Sequence, residues 1–123
     1  GILAIAAAKL GASHVTAVDF DGVAVKQAAV NAKLNGVEDK LTIANSDLLA
    51  AIPQGEKADV VVANLVTNAV LALPPYLKEG GTLIASGIID ERIDEVRRAA
   101  AAVGFTWVDE QFRSGWYAVQ MKR

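Results

Sequence analysis

The C-terminal residues place the strictest limit on the fold of this chain. Phe105–Phe112 and Trp116–Lys122 are rich in the β-branched and aromatic residues typical of strands, and only Arg113-Ser114-Gly115 separates them. A parallel crossover needs a dozen or more residues, so a connection this short makes the two strands antiparallel. The sequence therefore predicts a C-terminal β-hairpin.

Upstream of the hairpin, segments typical of helices and strands alternate along the chain. In the helix predicted over Val23–Leu34, Val23, Val30 and Leu34 lie along one face. The other predicted helices are Ile2–Leu10, Leu48–Ile52, a segment around Asn68–Leu73 cut by Pro74-Pro75, and Ile93–Val103 capped by Asp90. The other predicted strands are the stretch His14–Asp21, which runs out into two acidic residues, Lys40–Ala44, Asp59–Ala63 and, after a turn at Gly80-Gly81, Thr82–Gly87. This order predicts an α/β fold with a doubly wound, mostly parallel sheet that carries one antiparallel hairpin strand at its end.

The predicted strand that runs into Asp19 and Asp21 carries the strongest functional signal. Ligands of open α/β sheets bind outside the carboxyl ends of the strands, and a carboxylate there can hold the two hydroxyls of a ribose. Asp21 has a structural role as N-cap of the helix that follows. Asp19 has no comparable local role in the sequence, so the first hypothesis is that it binds a nucleoside-bearing cofactor.

Composition excludes several classes of protein. At 123 residues, with 53% hydrophobic residues and three prolines, the chain is predicted to be one folded domain. The net charge of −2 and the scattered basic residues argue against a nucleic-acid-binding face. No apolar run approaches the ~20 residues of a membrane span. The absence of cysteine excludes disulfides and thiolate metal sites and fits a cytoplasmic protein.

Several runs of sequence, together with the terminal hairpin, are similar to one family of Rossmann-like methyltransferases. These runs are Ile2–Ala12, Val18–Asp21, Asn31–Val37, Ala58–Leu65 and Ser86–Ile89. They resemble the bacterial methyltransferases that use S-adenosylmethionine to trimethylate large-subunit ribosomal protein eleven. The resemblance covers essentially the whole chain, and the Val-Val-Ala-Asn-Leu run that contains Asn64 is fairly specific to this family and its close relatives.

The resemblance implies four cofactor-binding residues. Gly1 matches the last glycine of the loop that holds the methionine end of the cofactor, and Asp19 matches the residue that holds the ribose hydroxyls. Asn64 matches the polar residue beside the reacting sulfonium, where it could orient the reacting groups. Asp47 falls where many relatives contact the adenine amino group. The implied partner is a ribosomal protein substrate, methylated on lysine or N-terminal amines.

The sequence also departs from the family pattern. The first strand, most of the glycine loop and the N-terminal domain that recognises the ribosomal protein are missing, so the chain is expected to be an N-terminally truncated catalytic domain. Gly22 stands where proline is usual, which removes a preset φ from the start of a helix. The segment between Asn64 and Gly80 looks about one helical turn shorter than usual.

Each candidate residue also has a structural interpretation. Asp19 could be a solvated carboxylate at a strand end, Asn64 a turn residue bonded to its own backbone, and Asp47 a cap for the short helix after it. His14 lies at the amino end of its strand, opposite the ligand-binding edge, and is not expected to be catalytic. No metal-ligand spacing is visible.

Two other functions fit parts of the sequence. A nicotinamide-dependent oxidoreductase also places an acid at the end of its second strand, but it does not usually end in a reversed hairpin. The chain could also be a non-catalytic methyltransferase-fold fragment. In the expected fold, the missing strand would lie between the Asp19 strand and the Asp59–Ala63 strand. Its absence would leave two unpaired edges, which predicts weak or no cofactor binding and a tendency to self-associate.

Overall fold

The computed structural model describes residues 2–19, 21–45, 52, 55–64 and 67–123, and the chain divides into two compact units, residues 1–54 and 55–123. The helix predicted over Leu48–Ile52 falls almost entirely outside the described residues. Each unit is an arrangement of helix and parallel strand with its own buried residues.

The first unit contains two helices and a two-stranded parallel sheet. Its elements are α1 (Ile2–Lys9), β1 (Val15–Asp19), α2 (Gly22–Leu34) and β2 (Leu41–Asn45), with a short 3-10 helix over Glu38–Lys40. β1 pairs with β2 from Val15 opposite Leu41 to Asp19 opposite Asn45. The predicted helices and strands of this region are therefore confirmed, with bounds that differ by one or two residues.

Small side chains form the core of the first unit. Ala8 of α1, Ala32 of α2 and Val37 are buried, and the partly buried side chains packed against them are Ile5, Val15, Leu41 and Ile43. Within α2 the buried residues are Ala28 and Ala32, one helical turn apart. Val23, Val30 and Leu34, which define the apolar face in the sequence, are 70%, 54% and 78% exposed. α2 therefore packs through alanines, which allow a close approach to its neighbours, and not through its larger aliphatic side chains.

The second unit contains a four-stranded mixed sheet and one α-helix. Its elements are β3 (Ala58–Asn64), β4 (Leu77–Ile89), α3 (Ile93–Ala102), β5 (Thr106–Arg113) and β6 (Trp116–Lys122). The strand order is β3-β4-β6-β5; β3 and β4 are parallel, and β6 is antiparallel to both β4 and β5. The predicted hairpin is confirmed, with a tight turn in which Ser114 and Gly115 have φ values of 53° and 84°.

The helix α3 packs against the 3-10 helix Thr67–Ala72 and against β5. Ile93, Val96 and Ala100 of α3 are buried, as are Leu83, Val119 and Met121 on the strands. At the edge of this contact, the Arg97 guanidinium lies 4.6 Å from the centre of the Trp107 ring. Arg97 also forms a 3.2 Å ion pair with Glu110, which accepts a 3.1 Å hydrogen bond from Nε1 of Trp107. These contacts attach α3 to β5.

Three predictions about local structure need correction or refinement. Gly80-Gly81 does not turn the chain ahead of a strand, since both glycines lie inside the long strand β4, where the β3–β4 register shifts between Ala58 and Val60. Asp90 does not cap α3: it begins a 3-10 helix, Asp90–Arg92, that precedes α3, and Arg92 occupies the cap position without a side-chain cap bond. The predicted helical segment near Asn68 is a 3-10 helix, Thr67–Ala72.

These elements confirm the predicted fold class. The described strands are parallel in the β1–β2 and β3–β4 pairs and become antiparallel only at the C-terminal hairpin. They form two sheets, with β1 hydrogen-bonded to β2 in one and β3 to β4 in the other. Among the described residues, no helix has the length and apolar character that crossing a membrane requires.

Candidate functional site

The carboxyl ends of β1 and β2 bring two polar residues together. Asp19 and Asn45 are the last residues of their strands and stand opposite each other in the parallel register. Both are exposed. This is the edge at which open α/β sheets bind ligands. Sequence reasoning singled out Asp19 and gave Asn45 no role, although Asn45 ends its strand in the same way.

The structure gives Asp19 a local role that the sequence analysis did not foresee. Its Oδ1 accepts a 3.0 Å hydrogen bond from the backbone N–H of Asp21, two residues later. Short acidic side chains commonly bond the backbone two residues on in this way. The bond holds the carboxylate in one orientation at the strand end, and a carboxylate oxygen with two lone pairs can still accept a ligand hydroxyl.

Asp21 caps α2 as the sequence predicts. Its Oδ1 accepts a 2.9 Å hydrogen bond from the backbone N–H of Val23, and its backbone is extended, as is usual at an N-cap. Gly22 follows at the first helical position. A Cβ added to Gly22 would lie 3.4 Å from Nδ2 of Asn45, which is ordinary contact distance, so space does not require glycine there.

A small cavity lies beside Asp19 within the first unit. It has a volume of about 50 Å³ and is lined by Ala17, Val18, Asp19, Ala24, Val25, Ala28 and Ile43. Ligand pockets usually enclose ~300–1,000 Å³, so this cavity is too small to hold a nucleoside. A ligand held by Asp19 would therefore lie outside the strand end and not between β1 and α2.

In the second unit, Asn64 occupies the corresponding position. It is the last residue of β3, is exposed, and stands opposite Ser86 of β4. Gly87 is the next residue along β4 and has a φ of +76°. The Asn64 side chain lies so close to Gly87 that a Cβ added to the glycine would overlap Oδ1 and lie 3.1 Å from Cγ. The carboxamide of Asn64 thus rests against the bare backbone of Gly87.

None of the other candidate residues is described at the carboxyl ends of the strands. Gly1 and Asp47 lie outside the described residues. His14 precedes β1, and its Nε2 is 2.9 Å from Oγ1 of Thr42, at the amino ends of β1 and β2. It is thus at the end of the sheet opposite Asp19, as expected. In the part of the chain that the structure describes, no three His, Cys, Asp or Glu residues are grouped so that they could hold a metal ion.

Comparison with known proteins identifies the family. The family model for ribosomal protein L11 methyltransferase (PrmA) matches residues 1–123. The chain belongs to the ribosomal protein L11 methyltransferase family. The relative from Caldanaerobacter subterraneus, named ribosomal protein L11 methyltransferase, is 46% identical over 127 residues, which cover 100% of this chain and 40% of that protein.

Solved structures agree with this assignment. The structure of a ribosomal protein L11 methylase from Lactobacillus delbrueckii superimposes with a TM-score of 0.91 at 33% identity, covering 100% of this chain and 64% of that one. An RNA methyltransferase from Salinibacter ruber, solved with S-adenosyl-L-homocysteine, superimposes with a TM-score of 0.70 at 22% identity and covers 98% of this chain. At that identity the second likeness shows the shared fold alone.

The family comparison confirms the resemblance seen in the sequence and the methyltransferase fold. The chain spans about 40% of the length of the curated relatives it matches.

Proposed function

We propose that this protein is an S-adenosylmethionine-dependent methyltransferase that transfers methyl groups to lysine or N-terminal amines of ribosomal protein L11. The observation that carries the proposal is the match of the L11 methyltransferase family model along the full 123 residues. The polar residues that end β1 and β2 of the first unit support it, because ligands of open α/β sheets bind outside the carboxyl ends of the strands, and Asn64 ends β3 of the second unit in the same way. We place the reaction in the cytoplasm, with no direct part for nucleic acid or membrane.

The side chains present fit the chemistry of the cofactor. Asp19 offers an exposed carboxylate, oriented by its bond to Asp21, that can accept hydrogen bonds from ribose hydroxyls. Asn45, opposite Asp19, adds an amide that can both donate and accept. Gly1 and Asp47, outside the described residues, are proposed to contact the methionine and adenine ends. When bound, S-adenosylmethionine supplies a methyl group that its sulfonium has already activated.

Because the methyl group arrives activated, the protein has two tasks. The first is to align the attacking amine with the methyl carbon, and alignment alone can supply ~7–11 kcal/mol of the barrier reduction. The second is to lower the free energy needed to deprotonate the attacking amine. A lysine with a reference pKa of ~10.4 requires roughly 4–5 kcal/mol to lose its proton at neutral pH. We propose that the Asn64 carboxamide at the end of β3 orients the reacting groups for these tasks.

Two measurements test the proposal. Calorimetric titration with S-adenosylhomocysteine should show weak binding, whereas titration with NADH should show none. Incubation with labelled S-adenosylmethionine and ribosomal protein L11 should label the protein, and ribosomal RNA offered in its place should stay unlabelled. Binding of NADH alone would favour an oxidoreductase. Failure to bind either ligand would favour a methyltransferase fold without activity in this chain.

A further inference from the structure

Gly87 of β4 has a direct steric relation to Asn64 of β3. Asn64 stands opposite Ser86 in the parallel register, so Gly87 lies one residue beyond its partner. A Cβ on residue 87 would overlap Oδ1 of Asn64 and would lie 3.1 Å from Cγ and 3.7 Å from Nδ2. The carboxamide therefore occupies the space that the first side-chain carbon of any other residue would fill.

The backbone at Gly87 is also irregular. The antiparallel register between β4 and β6 shifts between Ala85 and Ile88, which marks a bulge at Ser86 and Gly87. Gly87 has a φ of +76°, in the left-handed region that side chains with a Cβ rarely adopt. Bulges commonly redirect a strand next to a functional site. Here the bulge and the missing Cβ occur at the residue that meets the Asn64 carboxamide.

We propose that Gly87 is a positioning residue for Asn64: its missing side chain leaves the space in which the Asn64 carboxamide lies at the end of β3, and any side chain at residue 87 would displace the carboxamide. The functional consequence rests on the proposed methyl transfer, in which Asn64 orients the reacting groups. Gly87 itself need not touch cofactor or substrate. Its role is to make available the one position of the Asn64 carboxamide that a Cβ at residue 87 would close.

A thermal double-mutant cycle tests the contact without reference to activity. Gly80→Ala is the matched control, because Gly80 lies in the same strand with the same φ of +76° but has no atom within 4 Å of the added Cβ. Gly87→Ala should lower Tm more than Gly80→Ala does, and the excess should vanish in the Asn64→Ala background. Equal losses for the two glycines, or an excess that persists without the Asn64 carboxamide, would overturn the proposal.

A measurement on the parent protein covers the case in which Gly87→Ala does not fold. The Asn64 side-chain amide protons should show a nuclear Overhauser effect to the Hα protons of Gly87. Its absence in well-dispersed spectra would show that the carboxamide does not rest against Gly87, and the proposal would be wrong. Folding of the double variant, where Gly87→Ala alone fails, would support it.

The functional consequence is measured on methyl transfer to ribosomal protein L11. Gly87→Ala should lower kcat roughly 10-fold to 100-fold with little change in KM, since a misplaced orienting group acts on the reacting geometry. The Asn64→Ala/Gly87→Ala pair should be no slower than Asn64→Ala alone, and Gly80→Ala should match the parent. If the parent is active and Gly87→Ala stays within twofold of it, Gly87 has no positioning role. If the parent transfers no methyl group, the proposed function fails, while the thermal cycle and the Overhauser effect still decide the contact.

Discussion

At the scale of single residues, Asp19 and Asp21 show how two neighbouring carboxylates take different roles. Both bond a backbone N–H two residues ahead, but only Asp21 stands at the N-cap of a helix. The sequence identified the cap, because a capping residue directly before an apolar helical pattern is a local signal. It did not reveal the bond from Asp19, because that bond depends on the path of the chain beyond the strand end.

This difference predicts that substitution of Asp19 weakens ligand binding, whereas substitution of Asp21 lowers stability. Asp19→Ala should weaken S-adenosylhomocysteine binding by about 2–3 kcal/mol, because charge-assisted hydrogen bonds to the ribose are lost. Asp21→Ala should lower the free energy of unfolding by about 1 kcal/mol through loss of the cap and leave binding largely unchanged. Calorimetry and thermal unfolding of both variants check this. Asp19→Asn, which keeps an oxygen for the Asp21 N–H, separates the charge from the turn; undiminished binding by Asp19→Ala would exclude the ribose role.

Tyr117 supplies a residue-scale prediction about pH. Desolvation raises the pKa of Tyr117 above its ordinary 10.0, and the charge of Asp90 and the 3.3 Å hydrogen bond that the hydroxyl donates to Asp90 raise it further, followed by the charge of Glu110, while Arg97 lowers it. The neutral tyrosine is therefore favoured in the folded state. Its contribution to stability is fully present below pH 10 and is lost as pH rises through the raised pKa.

The difference between the ultraviolet tyrosinate titrations of the parent and of Tyr117→Phe, which retains only Tyr76, measures this pKa. Asp90→Asn should lower the pKa of Tyr117 while leaving it above the ordinary value, because desolvation is the largest cause of the shift. Tyr117→Phe should remove the corresponding loss of stability at alkaline pH. A Tyr117 pKa that does not respond to Asp90→Asn would contradict the hydrogen bond.

At the scale of secondary-structure elements, the sequence predicted the hairpin because it depends on one short connection, and the alternation of helices and strands because these follow local patterns. It did not predict which face of α2 is buried. Val23, Val30 and Leu34 form a regular apolar stripe, yet Ala28 and Ala32 are the buried side chains. Similarly, Gly80-Gly81 predicts a turn before a strand, but in the structure both glycines lie inside β4, where the strand is irregular. Both outcomes depend on packing against distant segments, which a local pattern cannot show.

The hairpin turn offers a prediction at this scale. Ser114 has a φ of 53° and is the one described residue other than glycine with a positive φ. Ser114→Asn should stabilise the protein by about 0.5 kcal/mol, because Asn-Gly is the favoured pair for this kind of two-residue turn. Gly115→Ala, at a φ of 84°, should destabilise it by about 1 kcal/mol. Urea unfolding checks both values; equal stability of the two variants would contradict the turn geometry.

At the scale of the whole molecule, four of the described strands are hydrogen-bonded on one side only: β1 and β2 in the two-stranded sheet, and β3 and β5 at the ends of the four-stranded sheet. For β1 and β3 the sequence led to the same expectation, since the family pattern places a further strand between the Asp19 strand and the Asp59–Ala63 strand. A strand with one unpaired side presents a row of free N–H and C=O groups that can pair with another chain.

We therefore expect this 123-residue chain to self-associate in a concentration-dependent way, as measured by light scattering coupled to size-exclusion chromatography. Lysine on an edge strand opposes such pairing, because pairing with a second chain would bury its charged ammonium group. Thr16→Lys on β1 and Val62→Lys on β3, both at exposed positions, should each shift the chain toward monomer. Ile84→Lys is the matched control and should leave the association unchanged, because Ile84 lies on the internal strand β4 opposite Val62 and is equally exposed. If one of the Thr16 and Val62 variants is monomeric and the other associates like the parent, the strand of the monomeric variant is the one that pairs. If both variants associate like the parent, or if the parent stays monomeric up to millimolar concentration, neither β1 nor β3 pairs with a second chain.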